Sequence, residues 1–221
     1  MSSQIVAAAW HARMTHADGS EGLCVAFGQP VHVLSTYALG EVADILEQAH
    51  ALSRQGMYVV GGLSYEAAPA FDASLQVCSN PQFPLIEFHA FDAGQVQIVS
   101  REQLQTLGPE SRFFPWHDIQ SHVEYSNSFQ QVRKAIEAGE FYQINLTTRL
   151  KALSAGQDAW ALFQHLYSAQ PAPQSVFLRG SVFNAISLSP ELFFQWDGVE
   201  LHTAPMKGTR NPMSGGFEVL S

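Results

Sequence analysis

The chain has 221 residues, enough for one large domain or two small ones, and 46% of them are hydrophobic against 14% that are charged. This balance excludes an intrinsically disordered chain, which has low hydrophobicity and high charge. A net charge of −9 with no basic run argues against binding to the phosphate backbone of a nucleic acid. No apolar run reaches the roughly 18 residues that a membrane-spanning helix needs. The N-terminus lacks the basic region of a signal peptide, so we expect a cytoplasmic protein that binds neither nucleic acid nor membrane.

The first half of the chain begins with one amphipathic helix and a strand. Apolar residues at helical spacing predict a helix over 39–55, which ends at Gly56. A short apolar run predicts a buried strand over 57–63. The glycine pair 61–62 within this strand indicates either a close approach of two backbones or a bulge.

Two further strands and a linker follow. Residues 85–91 and 95–99 are predicted to form a hairpin, because the Asp-Ala-Gly sequence at 92–94 is typical of a turn. The stretch 101–117 is irregular and contains Gly-Pro and Pro breakers, which makes it the best boundary between domains. The sequence therefore predicts a first domain over 1–110 and a second over 111–221.

The second half contains two more helices with a strand between them. A helix is predicted over 126–138, ending at Gly139, and a third over 158–168, with Asp158 as its N-cap. Between them, apolar and polar residues alternate over 141–150, which predicts a strand.

Two hairpins are predicted near the end of the chain. One turns at Arg179-Gly180, and the other turns at Asp197-Gly198, where the two residues are typical of a type I′ turn. Helices are interleaved with strands, but hairpins are frequent. The pattern predicts an α+β fold with largely antiparallel sheets and helices packed on the outside.

Most familiar catalytic motifs are absent from the sequence. It contains no HExxH, no GxSxG, no Walker loop and no GxGxxG, and its nine histidines are scattered. A two-residue turn at 197–198 would pair Glu191 with Ala204, so that Glu191 and Lys207 lie at the same end of the hairpin, about 10 Å apart if the chain is extended. A partly desolvated lysine and carboxylate could act as nucleophile and general acid. The alternative is an ordinary loop lysine and a glutamate at the end of a strand.

Four ordered stretches resemble the chorismate-utilising enzymes. Glu140-Phe-Tyr-Gln-Ile-Asn-Leu-Thr147 and Ser189-Pro-Glu-Leu-Phe193 resemble motifs of the whole family. Pro205-Met-Lys-Gly-Thr209 resembles the P-I-K-G-T motif of its aminodeoxychorismate synthase branch, and residues 62–72 resemble that branch as well. The resemblance extends over about residues 20–212.

The resemblance implies a role for each matching residue. Lys207 would attack the ring of chorismate to form a covalent intermediate that ammonia displaces, and Glu191 would be the general acid or base for the departing hydroxyl. Gly208 and Thr209 would contact the substrate. Lys207 also favours the aminodeoxychorismate synthases over the related anthranilate synthases, because the latter carry a small residue at this position.

The motif around residue 140 adds three further candidates. Tyr142, Gln143 and Asn145 are candidates to line the site. Asn145 could equally satisfy backbone groups beside a sheet.

The sequence departs from the family at its end. The catalytic domain of the family continues well beyond the Lys207 motif, and that part supplies the magnesium ligands, so that this chain resembles an N-terminal half. The resemblance implies magnesium as cofactor, chorismate as substrate, and ammonia from a separate glutamine amidotransferase subunit. The alternatives are an anthranilate synthase-like enzyme and a non-catalytic remnant that acts as a binding module.

Overall fold

The computed structural model describes residues 7–15, 21–99, 115–153, 156 and 158–205. The α-helices of this part are α1 (Val42–Arg54), α2 (His122–Glu137) and α3 (Ala159–Ala169). Its strands are β1 (Ala7–Thr15), β2 (Glu21–Phe27), β3 (His32–Thr36), β4 (Tyr58–Leu63), β5 (Ile86–Phe91), β6 (Val96–Val99), β7 (His117–Asp118), β8 (Leu150–Lys151), β9 (Gln174–Arg179), β10 (Asn184–Ser189), β11 (Leu192–Trp196) and β12 (Leu201–Ala204). None of the described helices is long and apolar enough to cross a bilayer.

The chain separates into two compact units. The first contains residues 1–109 and 159–221, and the second contains residues 110–158. The described strands of the first unit form a five-stranded sheet in the order β10-β9-β1-β2-β6, a three-stranded sheet in the order β3-β5-β4, and the hairpin β11–β12. The second unit contains α2 and the short pair β7–β8. Every pairing between described strands is antiparallel, which confirms the predicted α+β fold.

The core of the first unit is built around β9, which is covered on both faces. Phe177 packs against the aromatic side chains of α3, and the next residue, Leu178, packs against Phe27 of β2 and Phe91 of β5. Neighbouring side chains of a strand point to opposite faces of the sheet. Because both faces of β9 are covered, apolar residues stand at consecutive positions instead of alternating with polar ones. The predicted helix over 158–168 and the predicted hairpin at 179–180 are therefore confirmed as α3 and β9–β10.

Helix α1 covers the outer face of the three-stranded sheet. Its buried Val42 packs with Leu85 and Ile86 beside β5. The predicted helix over 39–55 is confirmed, with a 3₁₀ turn at Leu39–Glu41 as its first part. Because α1 and α3 each cover one face of a sheet, the predicted position of these helices outside the sheets is also right.

The strand predicted over 57–63 is present as β4, but the prediction that it is buried is wrong, because Val59 and Val60 are half-buried and its other residues are exposed. Its glycine pair marks a close approach to β5. A Cβ atom on Gly61 would collide with the backbone oxygen of Glu87, whereas a Cβ atom on Gly62 would meet nothing within 4 Å. The pairing of β4 with β5 runs without a register shift from Tyr58 to Leu63. Of the two interpretations of this pair, close approach is therefore the right one.

The hairpin predicted over 85–99 is wrong, although both of its strands exist. β5 pairs with β3 and β4, whereas β6 pairs with β2 in the other sheet. The residues between them form a 3₁₀ turn, Ala93–Gln95, and the Gln95 carbonyl accepts a hydrogen bond of 2.9 Å from the Gly28 N–H. Turn residues specify a change of direction, but the partner of each strand is set by packing between distant segments.

The strand predicted over 141–150 is also wrong, except at its last residue. Only Leu150 and Lys151 form a bridge, as β8, with β7. Alternation makes a segment suitable for a sheet, but a strand exists only beside a partner that bonds to its backbone. No described strand lies beside residues 141–149.

Helix α2, just before that segment, begins earlier than predicted. The body of the predicted helix over 126–138 is confirmed, but the first helical residue is His122. Ser121 and Glu124 form a reciprocal capping box, in which each side chain bonds to the backbone N–H of the other. The Ser-x-x-Glu sequence was the available signal for this start.

The hairpin predicted around Asp197-Gly198 is present as β11–β12, but its register differs. Trp196 pairs with Leu201, so the loop has four residues instead of two, and Leu192 pairs with Ala204. The predicted pairing of Glu191 with Ala204 is therefore wrong. The register shifts between Leu192 and residue 195, so the two strands do not keep one continuous ladder.

The side chain of Asp197 explains the wider loop. Its Oδ1 accepts hydrogen bonds from the N–H of Glu200 at 2.7 Å and of Val199 at 2.8 Å. These two bonds, that of Glu200 first, hold the pKa of the Asp197 carboxyl below its usual range. An aspartate that bonds to the backbone ahead of it stabilises a turn longer than the two-residue type.

Candidate functional site

Glu191 lies at the bend between β10 and β11, where its backbone is fixed by its own motif. The Ser189 hydroxyl accepts a bond of 3.2 Å from the Glu191 N–H and donates one of 2.9 Å to the Glu191 carbonyl. The ring of Pro190 between them fixes its own φ. The Ser-Pro-Glu sequence thus sets the path of the chain at Glu191. The residue is exposed, whereas the apolar sequence around it suggested partial burial.

The other predicted residues of the site, Lys207, Gly208 and Thr209, lie outside the described residues. Their proposed roles therefore stay predictions. Ala204, the last residue of β12, pairs with Leu192, the neighbour of Glu191. The described chain thus ends, at Pro205, at the same end of the hairpin that carries Glu191.

The motif around residue 140 lies in the second unit, where its polar side chains face solvent. Tyr142 is 95% exposed, and Gln143 and Asn145 are exposed as well. No hydrogen bond joins Asn145 to another described residue, so the part of the chain that is described offers no sheet backbone for it to satisfy. A role for the three residues in lining the site stays a prediction.

An open polar cavity of about 600 Å³ lies in the second unit, beside the first turns of α2. It is lined by Ile119, Gln120, Glu124, Asn127, Ser128, Thr147, Thr148 and Arg149. Arg149 contributes a guanidinium, the group best suited to bind a carboxylate in a fork of two hydrogen bonds. The Arg149 carbonyl accepts a bond of 3.1 Å from the Ile119 N–H, which holds this wall in place. Sequence reasoning missed Arg149, although it stands two residues after the motif.

A buried polar cluster in the first unit was also missed. Glu87 and His89 of β5 are 2% and 4% exposed, and Glu87 Oε1 lies 2.7 Å from His89 Nε2. The Ser181 N–H donates to the same oxygen at 2.7 Å, and the Ser181 hydroxyl donates to Oε2 at 2.6 Å. The signal in the sequence was a carboxylate and an imidazole two residues apart, on one face of an otherwise apolar strand.

This cluster ties two parts of the first unit together. Burial raises the pKa of the Glu87 carboxyl, but the hydrogen bonds from His89 and Ser181 outweigh it and hold the pKa below its usual range. The ionised carboxylate therefore joins β5 to the tip of the β9–β10 hairpin, 94 residues further along the chain. Three donors occupy most of the acceptor positions of the carboxylate, which favours a structural role for Glu87.

The described residues contain no group of three or more His, Cys, Asp or Glu side chains that could hold a metal ion. They therefore do not fit the magnesium ion that the resemblance implies. The sequence prediction places its ligands beyond this chain, and it stays a prediction.

Comparison with known proteins identifies relatives over almost the whole chain. The sequence profile of a family described as "chorismate binding enzyme" matches residues 6–215. Aminodeoxychorismate synthase component 1 of Salmonella typhimurium is 34% identical over 173 residues, which are 78% of this chain and 36% of that protein. The protein of the same name from Escherichia coli is 39% identical over 108 residues, 48% of this chain and 24% of that protein.

A relative with a different name matches as well. Anthranilate synthase component 1 1 of Haloarcula marismortui is 35% identical over 122 residues, which are 55% of this chain and 25% of that protein. In these three comparisons the chain spans between about a quarter and about a third of the length of the relative.

Proposed function

The chain belongs to the family of chorismate binding enzymes. We propose that it is part of an aminodeoxychorismate synthase component I, the enzyme that aminates chorismate to 4-amino-4-deoxychorismate. The observation that carries this proposal is Lys207 within Pro-Met-Lys-Gly-Thr. Relatives in several organisms bear the name of this enzyme, which supports it. The proposal concerns the whole enzyme, of which this chain matches a part.

The proposed chemistry uses one nucleophile and one acid. The Lys207 amine attacks the ring of chorismate while the C4–O bond breaks, and Glu191 gives its proton to the departing hydroxyl, which leaves as water. Ammonia then forms a C–N bond at C4 as the bond between the ring and the Lys207 nitrogen breaks. The new ammonium group on C4 loses one proton to the Glu191 carboxylate and becomes the amine of the product. Two displacements of this kind have lower barriers than a single direct one. The fixed backbone at Glu191, set by Ser189, supports a role in which its position matters.

The substrate and the partners follow from the same proposal. Gly208 and Thr209 contact chorismate, and a separate glutamine amidotransferase subunit supplies the ammonia. Magnesium would neutralise the carboxylates of the substrate when bound. The roles proposed for Lys207 and Glu191 do not depend on this ion, for which the described residues offer no group of three or more ligands.

A chimera tests the proposal in the context of a complete enzyme. Residues 6–215, the range that the family profile matches, replace the corresponding part of the Salmonella relative, and the chimera is incubated with chorismate, ammonium and magnesium. We expect aminodeoxychorismate as the product, identified by mass spectrometry after chromatography. Anthranilate as the product would favour the second candidate function, for which the Haloarcula relative is the supporting observation. Neither product from a folded chimera would contradict both.

Two substitutions in the chimera test the roles of the residues. Lys207→Ala should abolish the covalent adduct seen by intact mass spectrometry, whereas Lys134→Ala, on exposed α2, should leave it unchanged. Glu191→Gln keeps the shape of the side chain but removes the proton, so turnover should fall about 10²–10⁴-fold. The exposed Glu47→Gln is its matched control. An undiminished adduct in the first variant, or normal turnover in the second, would remove that residue from the mechanism.

A further inference from the structure

The open cavity of about 600 Å³ beside α2 contains a cation and an anion that do not pair with each other. Arg149 and Glu124 both line it. No ion pair or hydrogen bond joins the Arg149 guanidinium to a described residue. Glu124 bonds to Ser121 through Oε2 alone, at 2.8 Å from the N–H and 2.7 Å from the hydroxyl, so its Oε1 stays available. The cavity therefore offers one partner for a negative group and one for a positive group.

The backbone that carries each charge is held in place within the second unit. The Ile119 N–H donates its bond of 3.1 Å to the Arg149 carbonyl, and β7 pairs with β8 next to this bond. On the other wall, the capping box with Ser121 ties the Glu124 side chain to the start of α2. Both charged side chains thus extend from backbone that the fold of one unit positions.

The rest of the lining is largely neutral and polar. Ser128 and Thr147 donate to backbone carbonyls, those of Glu124 at 3.1 Å and of Thr148 at 3.3 Å. The Asn127 amide and the Thr148 hydroxyl bond to no described residue. An amide provides two donors and an acceptor, and a hydroxyl can donate and accept. These two groups suit a small polar substituent of a ligand.

The charges of the cavity select the class of ligand. The N–H and the hydroxyl of Ser121 hold the pKa of the Glu124 carboxyl below its usual range, so Glu124 is ionised at neutral pH. An anion alone would be attracted by Arg149 but repelled by Glu124, and a cation alone would meet the reverse. A zwitterion satisfies both, because its carboxylate can take the fork of two bonds from a guanidinium while its ammonium group binds a carboxylate.

We propose that this cavity binds a free α-amino acid with a small polar side chain. Arg149 binds its carboxylate, Glu124 binds its ammonium group, and Asn127 and Thr148 contact its side chain. The proposal does not rest on the amination proposed above, and its test involves no catalysis.

The test titrates the full 221-residue chain with L-asparagine at pH 7 and follows the amide signals of the lining residues by ¹⁵N–¹H NMR. Three analogues change only the charges of the probe or their number. N-acetyl-L-asparagine lacks the ammonium group, L-asparagine amide lacks the carboxylate, and succinate has two carboxylates and no ammonium group.

Two variants remove the charges of the cavity one at a time. Arg149→Gln removes the cation, and Glu124→Gln removes the anion but keeps a residue that can complete a capping box. Arg54→Gln and Glu47→Gln, both exposed on α1 of the first unit, are the matched controls. Melting temperatures report whether each variant keeps the fold, and the three analogues decide the question for any variant that does not.

We expect L-asparagine to shift the signals of the lining residues in a saturable way. The Kd should rise at least about fivefold in each charge variant and for each analogue, and it should stay unchanged in the two controls. No saturable shift up to about 50 mM L-asparagine would overturn the proposal. A smaller rise in a folded charge variant would also overturn it, as would a smaller rise with any of the analogues. Binding of succinate as tight as that of L-asparagine would show a general anion site instead.

Discussion

We expect the substitution Glu87→Gln to lower the free energy of unfolding by about 1–3 kcal/mol at pH 7. The carboxylate is 2% exposed and accepts bonds from His89 Nε2, the Ser181 N–H and the Ser181 hydroxyl. A hydrogen bond to a charged group contributes about 1 kcal/mol more than a neutral one, so three bonds lose about 3 kcal/mol. The smaller cost of burying a neutral amide offsets part of this loss. The side-chain amide also faces the Ser181 hydroxyl, which must turn from donor to acceptor.

Urea unfolding of the full chain, followed by circular dichroism, measures this difference. Glu47→Gln on the exposed side of α1 is the control and should change the free energy of unfolding by less than about 0.5 kcal/mol. Glu87→Ala, which leaves the buried partners without an acceptor, should cost about 3–5 kcal/mol. If Glu87→Gln costs no more than Glu47→Gln, the carboxylate does not join β5 to the β9–β10 hairpin as argued.

The difference in the free energy of unfolding between wild type and Glu87→Gln should depend on pH, and the pKa of Glu87 gives the direction of this dependence. The pKa of Glu87 in the folded chain lies below its ordinary value of 4.5, so the folded state binds this proton less well than the unfolded state. The stability that it contributes is fully present above pH 4.5 and is lost as the pH falls through the folded pKa. The difference between wild type and Glu87→Gln should therefore shrink below pH 4.5. A difference that is constant down to the onset of acid unfolding would contradict the shift.

Three further substitutions test packing and capping by the same unfolding measurement. Gly61→Ala places a Cβ against the backbone oxygen of Glu87 and should lower the free energy of unfolding by about 1–3 kcal/mol. Gly62→Ala, whose Cβ would meet nothing within 4 Å, should be nearly neutral. Equal losses in the two variants would contradict the close approach. Ser121→Ala removes the capping box of α2 and should cost about 1 kcal/mol, and no loss of helix signal would contradict the cap. Phe163→Ala, which leaves a cavity under α3, should cost about 3–5 kcal/mol, far more than Phe129→Ala on exposed α2.

Helices and strands that depend on neighbouring residues could be predicted from the sequence, whereas the pairing of one strand with another could not. The apolar period of α1 and the run of β4 depend only on neighbouring residues, and both elements lie within three residues of the predicted ends. The Asp-Ala-Gly sequence at 92–94 marks a change of direction correctly, yet β6 pairs with β2, which precedes it by about 70 residues. That choice depends on Phe27, Phe91 and Leu178 coming together from distant segments.

The candidate site shows the same division. The Ser-Pro-Glu motif identifies Glu191 from three adjacent residues, and the structure explains the motif by two local bonds of Ser189. The cluster of Glu87 and His89 depends on Ser181, which no local pattern connects to β5. The register of β11–β12 could not be predicted either, because the Asp197 side chain stabilises a four-residue loop that the Asp-Gly pair does not indicate.

Glu87 and Glu191 show how surroundings assign a carboxylate to structure or to chemistry. Burial keeps a carboxylic acid protonated near neutral pH only where no donors stabilise its charge. Glu87 is buried but has three donors, so it stays ionised and cannot supply a proton. Glu191 has its backbone fixed, but it is exposed beside Phe193, which is 85% exposed. For the acid role proposed for Glu191, we expect the active assembly to exclude water from this hairpin, so that Phe193 becomes less exposed there than in the described chain.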